Sequence, residues 1–415
     1  MLKFIAILLS SLTLCAGTDS LSVAKPEAVG LSSARLERLA QAIKQDVDRG
    51  RMPGAVVAIA RKGKLAYYEA FGFVDKAAGT PMPKDAIFAL ASMTKPMVAV
   101  AALMLAEQGD LLLNDPIGNY LPELKDMKVA GPRGIEAAHR QPTLQDMLRH
   151  TAGVSHGNRG DTPLHKLYEA KLKSAANQSG AEFLQELGKL PLHYQPGTQW
   201  EYSHGLDVTG LAVEAITKKR LGEFLQERLF EPLGMVETGF VVPAAKQARI
   251  AKPLPIDPDT GRPTAFRLPV TPWQYDCGGG CASGTALDYV RFAQMLLNKG
   301  TFEGNRLLSR KTVEYMTSNQ LGPNVDVSRL HEFPVEHMDG FGFGFGLGVA
   351  VRTQPGVAGV PGTPGEFMWS GAQGTMFWVD PKEEMVVVFL ANTPGPARRH
   401  YREMVKTLVE QAIAD

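Results

Sequence analysis

Apolar residues Leu36, Leu39, Ala40, Ile43 and Val47 return every three or four positions behind Ser32 and Ser33, which predicts a capped amphipathic helix. The period then changes. Ala55 to Ala60 and Leu65 to Phe71 are short apolar runs flanking Arg61-Lys62-Gly63-Lys64, and they read as a β-hairpin. From Met97 to Glu107 the chain is apolar nearly all round, as a buried helix must be, and Gly109-Asp110 ends it. Thr285 and Asp288 have the spacing of a capping box ahead of a helix through Phe292, Met295 and Leu296. Strand-like runs return at Phe341 to Val351, Glu366 to Trp369, Thr375 to Val379 and Met385 to Leu390, before a helix carrying Met404, Leu408, Val409 and Ile413.

Strands from both ends of the chain thus bracket a helical middle. The expected fold class is α/β (α+β): an antiparallel sheet from about 18–90 and 340–415, flanked by helices, with a helical region over about 91–339. No Ser/Pro linker, charge block or internal repeat divides the chain, so residues 18–415 read as one catalytic unit. A cleft is expected where sheet and helical region meet.

Composition narrows the function. Hydrophobic residues make up 44% and charged residues 21%, an ordinary globular balance. Lys+Arg 44 against Asp+Glu 43 leaves no field to hold nucleic acid phosphates or an anionic membrane surface. Met1, Leu2 and Lys3 precede the apolar run Phe4 to Leu14 and the small residues Cys15, Ala16 and Gly17, the pattern of a signal peptide over 1–17. The run is too short to span a bilayer, so a secreted or periplasmic protein is expected. Lipidation at Cys15 is the alternative, disfavoured by Leu14 where such signals want a small residue. Cys277 and Cys281 are near enough in sequence to bridge in an oxidising compartment, and no Cys or His spacing suggests a metal site.

Ser92-Met93-Thr94-Lys95 opens the buried helix, and a spacing of three puts hydroxyl and amine on one face, one turn apart. Burial of the amine at an apolar helix end suits it to withdraw the hydroxyl proton. The string alone is weak. Ser22-Val-Ala-Lys25 matches it too, before Pro26 and with no helix to hold it, and Ser92 also fits a plain helix-cap serine beside a snorkelling lysine. Gly153-Val154-Ser155-His156-Gly157 satisfies the G-x-S-x-G string, but a short helical stripe precedes it and a loop follows. Ser155 is therefore read as part of a glycine turn. The aromatic-glycine alternation Phe341 to Gly348 reads as a strand, not a dinucleotide loop, since no βαβ unit follows.

Taken in order, Ser92-Met-Thr-Lys95, His150-Thr-Ala-Gly153, Glu201-Tyr202-Ser203-His204 and Trp369-Ser370-Gly371 ahead of Phe377-Trp378-Val379-Asp380-Pro381 resemble the motifs of the serine β-lactamase and penicillin-binding superfamily. The pattern is most similar to the class C β-lactamase-like branch that includes family VIII carboxylesterases. Pro232-Leu233-Gly234-Met235 and Asp288-Tyr-Val-Arg-Phe292 also stand in family-like positions.

The resemblance implies an acyl-enzyme on Ser92, with Lys95 and Tyr202 sharing base and acid work and the oxyanion held by the backbone N–H groups of Ser92 and Ala372. It implies a small-molecule ester as partner; no cofactor is expected and, from the Cys and His spacing, no metal. Tyr202 also fits a packed aromatic, since only chain order ties it to Ser92. Two departures matter: Tyr202-Ser203-His204 stands where penicillin-recognising enzymes usually have Tyr-x-Asn, and Trp369-Ser370-Gly371 replaces Lys-Thr-Gly. Loss of the strand cation favours uncharged, more apolar ligands, so Trp369, Ser370 and Gly371 are expected to line an ester site. His204 orients a substrate carbonyl or Lys95, or merely fills the site. The expected activity is carboxylic ester hydrolysis, with β-lactamase or D-Ala-D-Ala peptidase as the alternative, and then acyltransferase or a silent cell-wall peptide binder.

Overall fold

The computed structural model describes residues 21–266, 270–331 and 341–415. The expected signal peptide and Cys15 lie outside the described residues. Among the described residues, no helix is long and apolar enough to cross a membrane.

An eight-stranded antiparallel sheet forms the centre, in the order Phe343–Phe345, Ala350–Arg352, Phe367–Ser370, Met376–Asp380, Met385–Ala391, Gly54–Arg61, Lys64–Asp75 and Thr80–Pro81. The N-terminal hairpin and the C-terminal strands meet where Ala55 pairs with Ala391 and Arg61 with Met385. Every residue of these two central strands is buried. Their continuous apolar character follows from cover on both faces. Helices Ser33–Asp48 and Ala397–Glu410 pack together beside the hairpin, while Ala286–Leu297 packs on Gly54–Arg61, Met376–Asp380 and Met385–Ala391.

The first helix is capped as expected, with Ser32 accepting from the Arg35 N–H. Three details depart from expectation. Phe341 to Val351 is two short strands rather than one, because Gly348 turns the chain at φ 78° between Phe343–Phe345 and Ala350–Arg352. Thr285 caps its helix through the Asp288 N–H, but the Asp288 carboxylate turns away to accept from Glu237 N and Thr238 Oγ1, each at 2.8 Å. The box is therefore half formed. The middle region also carries strands, since Lys128–Gly131 pairs with Gly134–Ala137 and Phe88–Ala89 with Ser283–Gly284.

Candidate active site

Ser92 sits in the 3-10 turn Ala91–Met93, at the start of the wholly buried stretch of helix Thr94–Gln108. The turn is sharp: Ala91 holds φ 48°, a left-handed conformation that costs a non-glycine residue about 1 kcal/mol. Surrounding hydrogen bonds impose it. Thr94 Oγ1 donates to Ala91 O at 2.7 Å, Tyr289 Oη to Met93 O at 2.8 Å, and Leu90 N to Ala282 O at 2.9 Å. Pro96 falls in the first helical turn, where its missing N–H leaves no helical bond unmade.

Lys95, one turn on from Ser92, is fully buried. Its Nζ lies 3.3 Å from Ser92 Oγ and donates to Gly279 O at 2.6 Å. Gly279 belongs to the loop closed by the Cys277–Cys281 disulfide, whose Cα atoms are 5.3 Å apart. Two glycines let that loop approach. A Cβ on Gly278 would stand 2.2 Å from Leu206 O, and one on Gly279 would stand 2.5 Å from Asp207 Oδ2.

Tyr202 arrives on the extended segment before helix Gly205–Thr217. Its Oη donates to Ser92 Oγ at 2.7 Å, so phenol and amine converge on one hydroxyl. The ring is enclosed: Lys95 Nζ lies 4.5 Å from its centroid, and His150, His156 and Trp369 have their centroids at 4.8, 5.2 and 5.6 Å. The Arg159 guanidinium stands 5.7 Å from the same centroid. Ser203 N–H donates to His150 Nδ1 at 3.3 Å, and Ser203 Oγ lies 2.9 Å from that nitrogen, which assigns the proton to Nε2. Burial pushes the His150 imidazole well below its ordinary value, with Lys95 reinforcing the shift. Desolvation does the same to His156, helped by the charges of His204, Lys95 and Arg159. Both rings stay neutral, so neither His150 nor His156 adds a cation to Lys95 and Arg159 around the Tyr202 ring.

His204 Nδ1 bonds Asp207 Oδ2 at 2.8 Å, and Asp207 Oδ1 accepts from Gly279 N at 2.8 Å. Burial alone would raise the Asp207 carboxyl, but the hydrogen bond and charge of His204, the charge of Lys95 and the Gly279 N–H hold it below the usual range. His204 is thus tied to the loop that receives Lys95.

Trp369 and Ser370 end the strand Phe367–Ser370, and both are buried. The Trp369 ring packs between Tyr202 and Phe345, at 5.6 and 5.1 Å, so it backs the wall of the site rather than facing solvent. Gly371 makes the close approach: a Cβ there would meet Leu90 O and Thr375 Oγ1, each at 2.3 Å. This brings the strand end against the turn that carries Ser92, with half-buried Ala372 next in the chain. Arg398 Nη1 donates to Ala372 O at 3.3 Å, and buried Arg402 donates to Gly371 O, fixing the turn from the C-terminal helix.

Ser155 is fully buried, and its Oγ accepts from Gly157 N at 3.1 Å, the local turn bond expected of it. Ser22 lies near the first described residues on the far side of the hairpin, bonded through its carbonyl to Leu65 N.

Sequence reading missed Gly279, Asp207, His156 and Arg159 as parts of the site, and named His150 only within a motif, with no role. The spacing of three between His204 and Asp207 was a usable signal, and the rest are joined only by the fold. It also missed the grouping of His165, His193 and Glu201, which come from three separate segments.

The Ser92 turn, the buried amine, the phenol and the neighbouring strand end come together in the arrangement of the β-lactamase-fold serine hydrolase family. The Beta-lactamase family model matches residues 39–411, and the chain belongs to that family. It is 36% identical over 361 residues to an uncharacterized protein of Mycobacterium tuberculosis, covering 84% of this chain and 88% of that one. It is 30% identical over 389 residues to Esterase EstB of Burkholderia gladioli, covering 89% and 93%. Among solved structures it is similar to EstCE1, described as a hydrolase with promiscuous acyltransferase activity, with TM-score 0.75, 25% identity and coverage of 91% and 98%.

Proposed function

We propose that the protein is an exported serine esterase that cleaves carboxylic esters through an acyl-enzyme on Ser92. The observation that carries this reading is the convergence of Tyr202 Oη, at 2.7 Å, and Lys95 Nζ, at 3.3 Å, on Ser92 Oγ. The esterase relative supports the substrate class.

The chemistry follows from the geometry. Ser92 Oγ attacks the ester carbonyl while its proton passes to the Tyr202–Lys95 pair, and positive charge from Lys95 and Arg159 beside the phenol favours that transfer. The carbonyl π pair moves onto oxygen, where the N–H groups of Ser92 and Ala372 hold it. Collapse expels the alcohol, which takes the proton from the pair and leaves the acyl group on Ser92. Water then attacks the acyl carbonyl, gives its proton to the same pair, and the acid departs as Ser92 is reprotonated.

Trp369 fills the strand position where β-lactam enzymes carry a cation, and buried against Tyr202 it presents an apolar backing suited to neutral esters. Turnover of p-nitrophenyl butyrate beside a chromogenic cephalosporin tests the reading. A kcat/KM for the cephalosporin above that for the ester would replace it with the β-lactamase reading. Export is tested by intact mass: an uncleaved N-terminus in protein recovered outside the cytoplasm rules out a removed leader.

A further inference from the structure

Next to Tyr202 in the chain, three buried or half-buried groups meet. His165 comes from helix Pro163–Lys171, His193 from the loop after Leu192, and Glu201 directly precedes Tyr202. One donor atom from each lies within 4.8 Å of the others. His165 Nε2 and Glu201 Oε1 are 3.0 Å apart, and the two imidazole centroids are 4.2 Å apart. His193 Nε2 is buried with no hydrogen-bond partner among the described residues, an arrangement that costs about 1–3 kcal/mol unless something accepts its lone pair.

We propose that His165, His193 and Glu201 form a structural site for a divalent cation of the zinc type. Two nitrogens and one carboxylate oxygen are a donor set zinc favours, and ligands about 2.0–2.2 Å from one ion in a tetrahedral arrangement sit roughly 3–3.5 Å apart. The 3.0 Å pair already has that spacing, and the third donor needs only a small inward move. Outer groups are in place. His165 Nδ1 lies 2.7 Å from Thr162 Oγ1, so Nδ1–H donates to the hydroxyl when Nε2 binds metal. Arg329 Nε stands 3.6 Å from Glu201 Oε2, which steadies the carboxylate while Oε1 faces the imidazoles. The fourth position is left to water.

The ion would clamp three segments that are already joined by the His165–Glu201 hydrogen bond and by the bond from Tyr168 Oη to Pro191 O at 3.0 Å, and the last of them places Tyr202. Its role is to hold the segment that carries the phenol, not to touch substrate.

The test uses whole protein stripped with a chelator and desalted. Zinc added back is expected to bind at one equivalent by elemental analysis and to raise the unfolding temperature by a few degrees. Cobalt in its place is expected to give the intense visible bands of a four-coordinate ion. His193→Gln should lose the equivalent and the bands, whereas exposed His400→Gln should keep both. Since His193 is only half-buried, that variant should fold even where changes at His165 do not. No stoichiometric binding, or binding unchanged in His193→Gln, overturns the proposal. None of these readouts depends on esterase activity.

Discussion

Lys95 is bound more closely to Gly279 than to the Ser92 hydroxyl: its amine lies 2.6 Å from the Gly279 carbonyl and 3.3 Å from Ser92 Oγ. The position of the amine is therefore set by a loop distant in sequence, and the Cys277–Cys281 bridge closes that loop.

Replacing both cysteines by serine should reduce kcat by about 10-fold with little change in KM, because the loop would hold the amine less firmly in the transition state. Stability should fall by about 1–2 kcal/mol, the scale for a short closed loop. Steady-state kinetics with an intact-mass check for the bridge decide the point, and an unchanged kcat would remove the loop from the mechanism.

Ser92→Ala should abolish turnover and labelling by a fluorophosphonate, while Ser155→Ala keeps most of both. Lys95→Ala and Tyr202→Phe should each lower kcat by about 10² or more, and the pair should cost far less than the product of the two. A labelled peptide that contains Ser155 would contradict the assignment of the nucleophile.

Gly371→Ala puts a methyl group 2.3 Å from Leu90 O. Either the strand end or the Ser92 turn must move, so we expect about 1–3 kcal/mol of destabilisation and a kcat loss larger than 10-fold. Urea unfolding beside kinetics separates the two effects. Normal kcat in a destabilised variant would show that the strand end does not position the oxyanion site.

Arg159→Ala withdraws positive charge from beside the Tyr202 ring. Activity near neutrality should drop several-fold and recover as pH rises, and Arg159→Lys should restore much of it. A pH–rate profile of unchanged shape would mean the guanidinium is a bystander.

Burial pushes the Asp288 carboxyl up to about 6, against the opposing bonds from Thr238 and Glu237. The folded state then holds this proton more tightly than the unfolded chain, so the group's contribution is full below about pH 4 and is lost as pH rises through about 6. Asp288→Asn keeps an oxygen for both donors and removes the buried charge. We expect a flatter stability profile and a gain of about 1–3 kcal/mol at pH 8, read from denaturant midpoints between pH 5 and 8. Parallel profiles for the two proteins would refute it.

Much of this architecture is legible in periodicity because sheet and helix burial impose a repeat of 2 or 3.6 on local sequence. The hairpin at Ala55 to Phe71 and the wholly apolar helix after Ser92 are of that kind. Ser92 and Lys95 are legible as a pair because one helical turn joins them. Tyr202 is legible only through the order of motifs, and the Gly279 carbonyl not at all, since a backbone oxygen leaves no mark on side-chain pattern. Phe341 to Val351 read as one strand because its glycines alternate with apolar residues. What breaks it is tertiary: the turn at Gly348 sits so close to the nucleophile helix that a Cβ would stand 2.9 Å from that of Ala99.

The central pairing of Gly54–Arg61 with Met385–Ala391 joins segments about 330 residues apart. A ribosome that has just made Arg61 must add about 320 further residues before the strand that lies beside Ala55 to Ala60 begins. Until then the most apolar strand of the N-terminal hairpin has one edge open, and the loop to be closed is nearly the whole chain. Closure of the sheet thus waits until Met385–Ala391 has been made, and is slow by the measure of contact separation. The nascent hairpin needs shelter from its neighbours for most of the time it takes to make the protein.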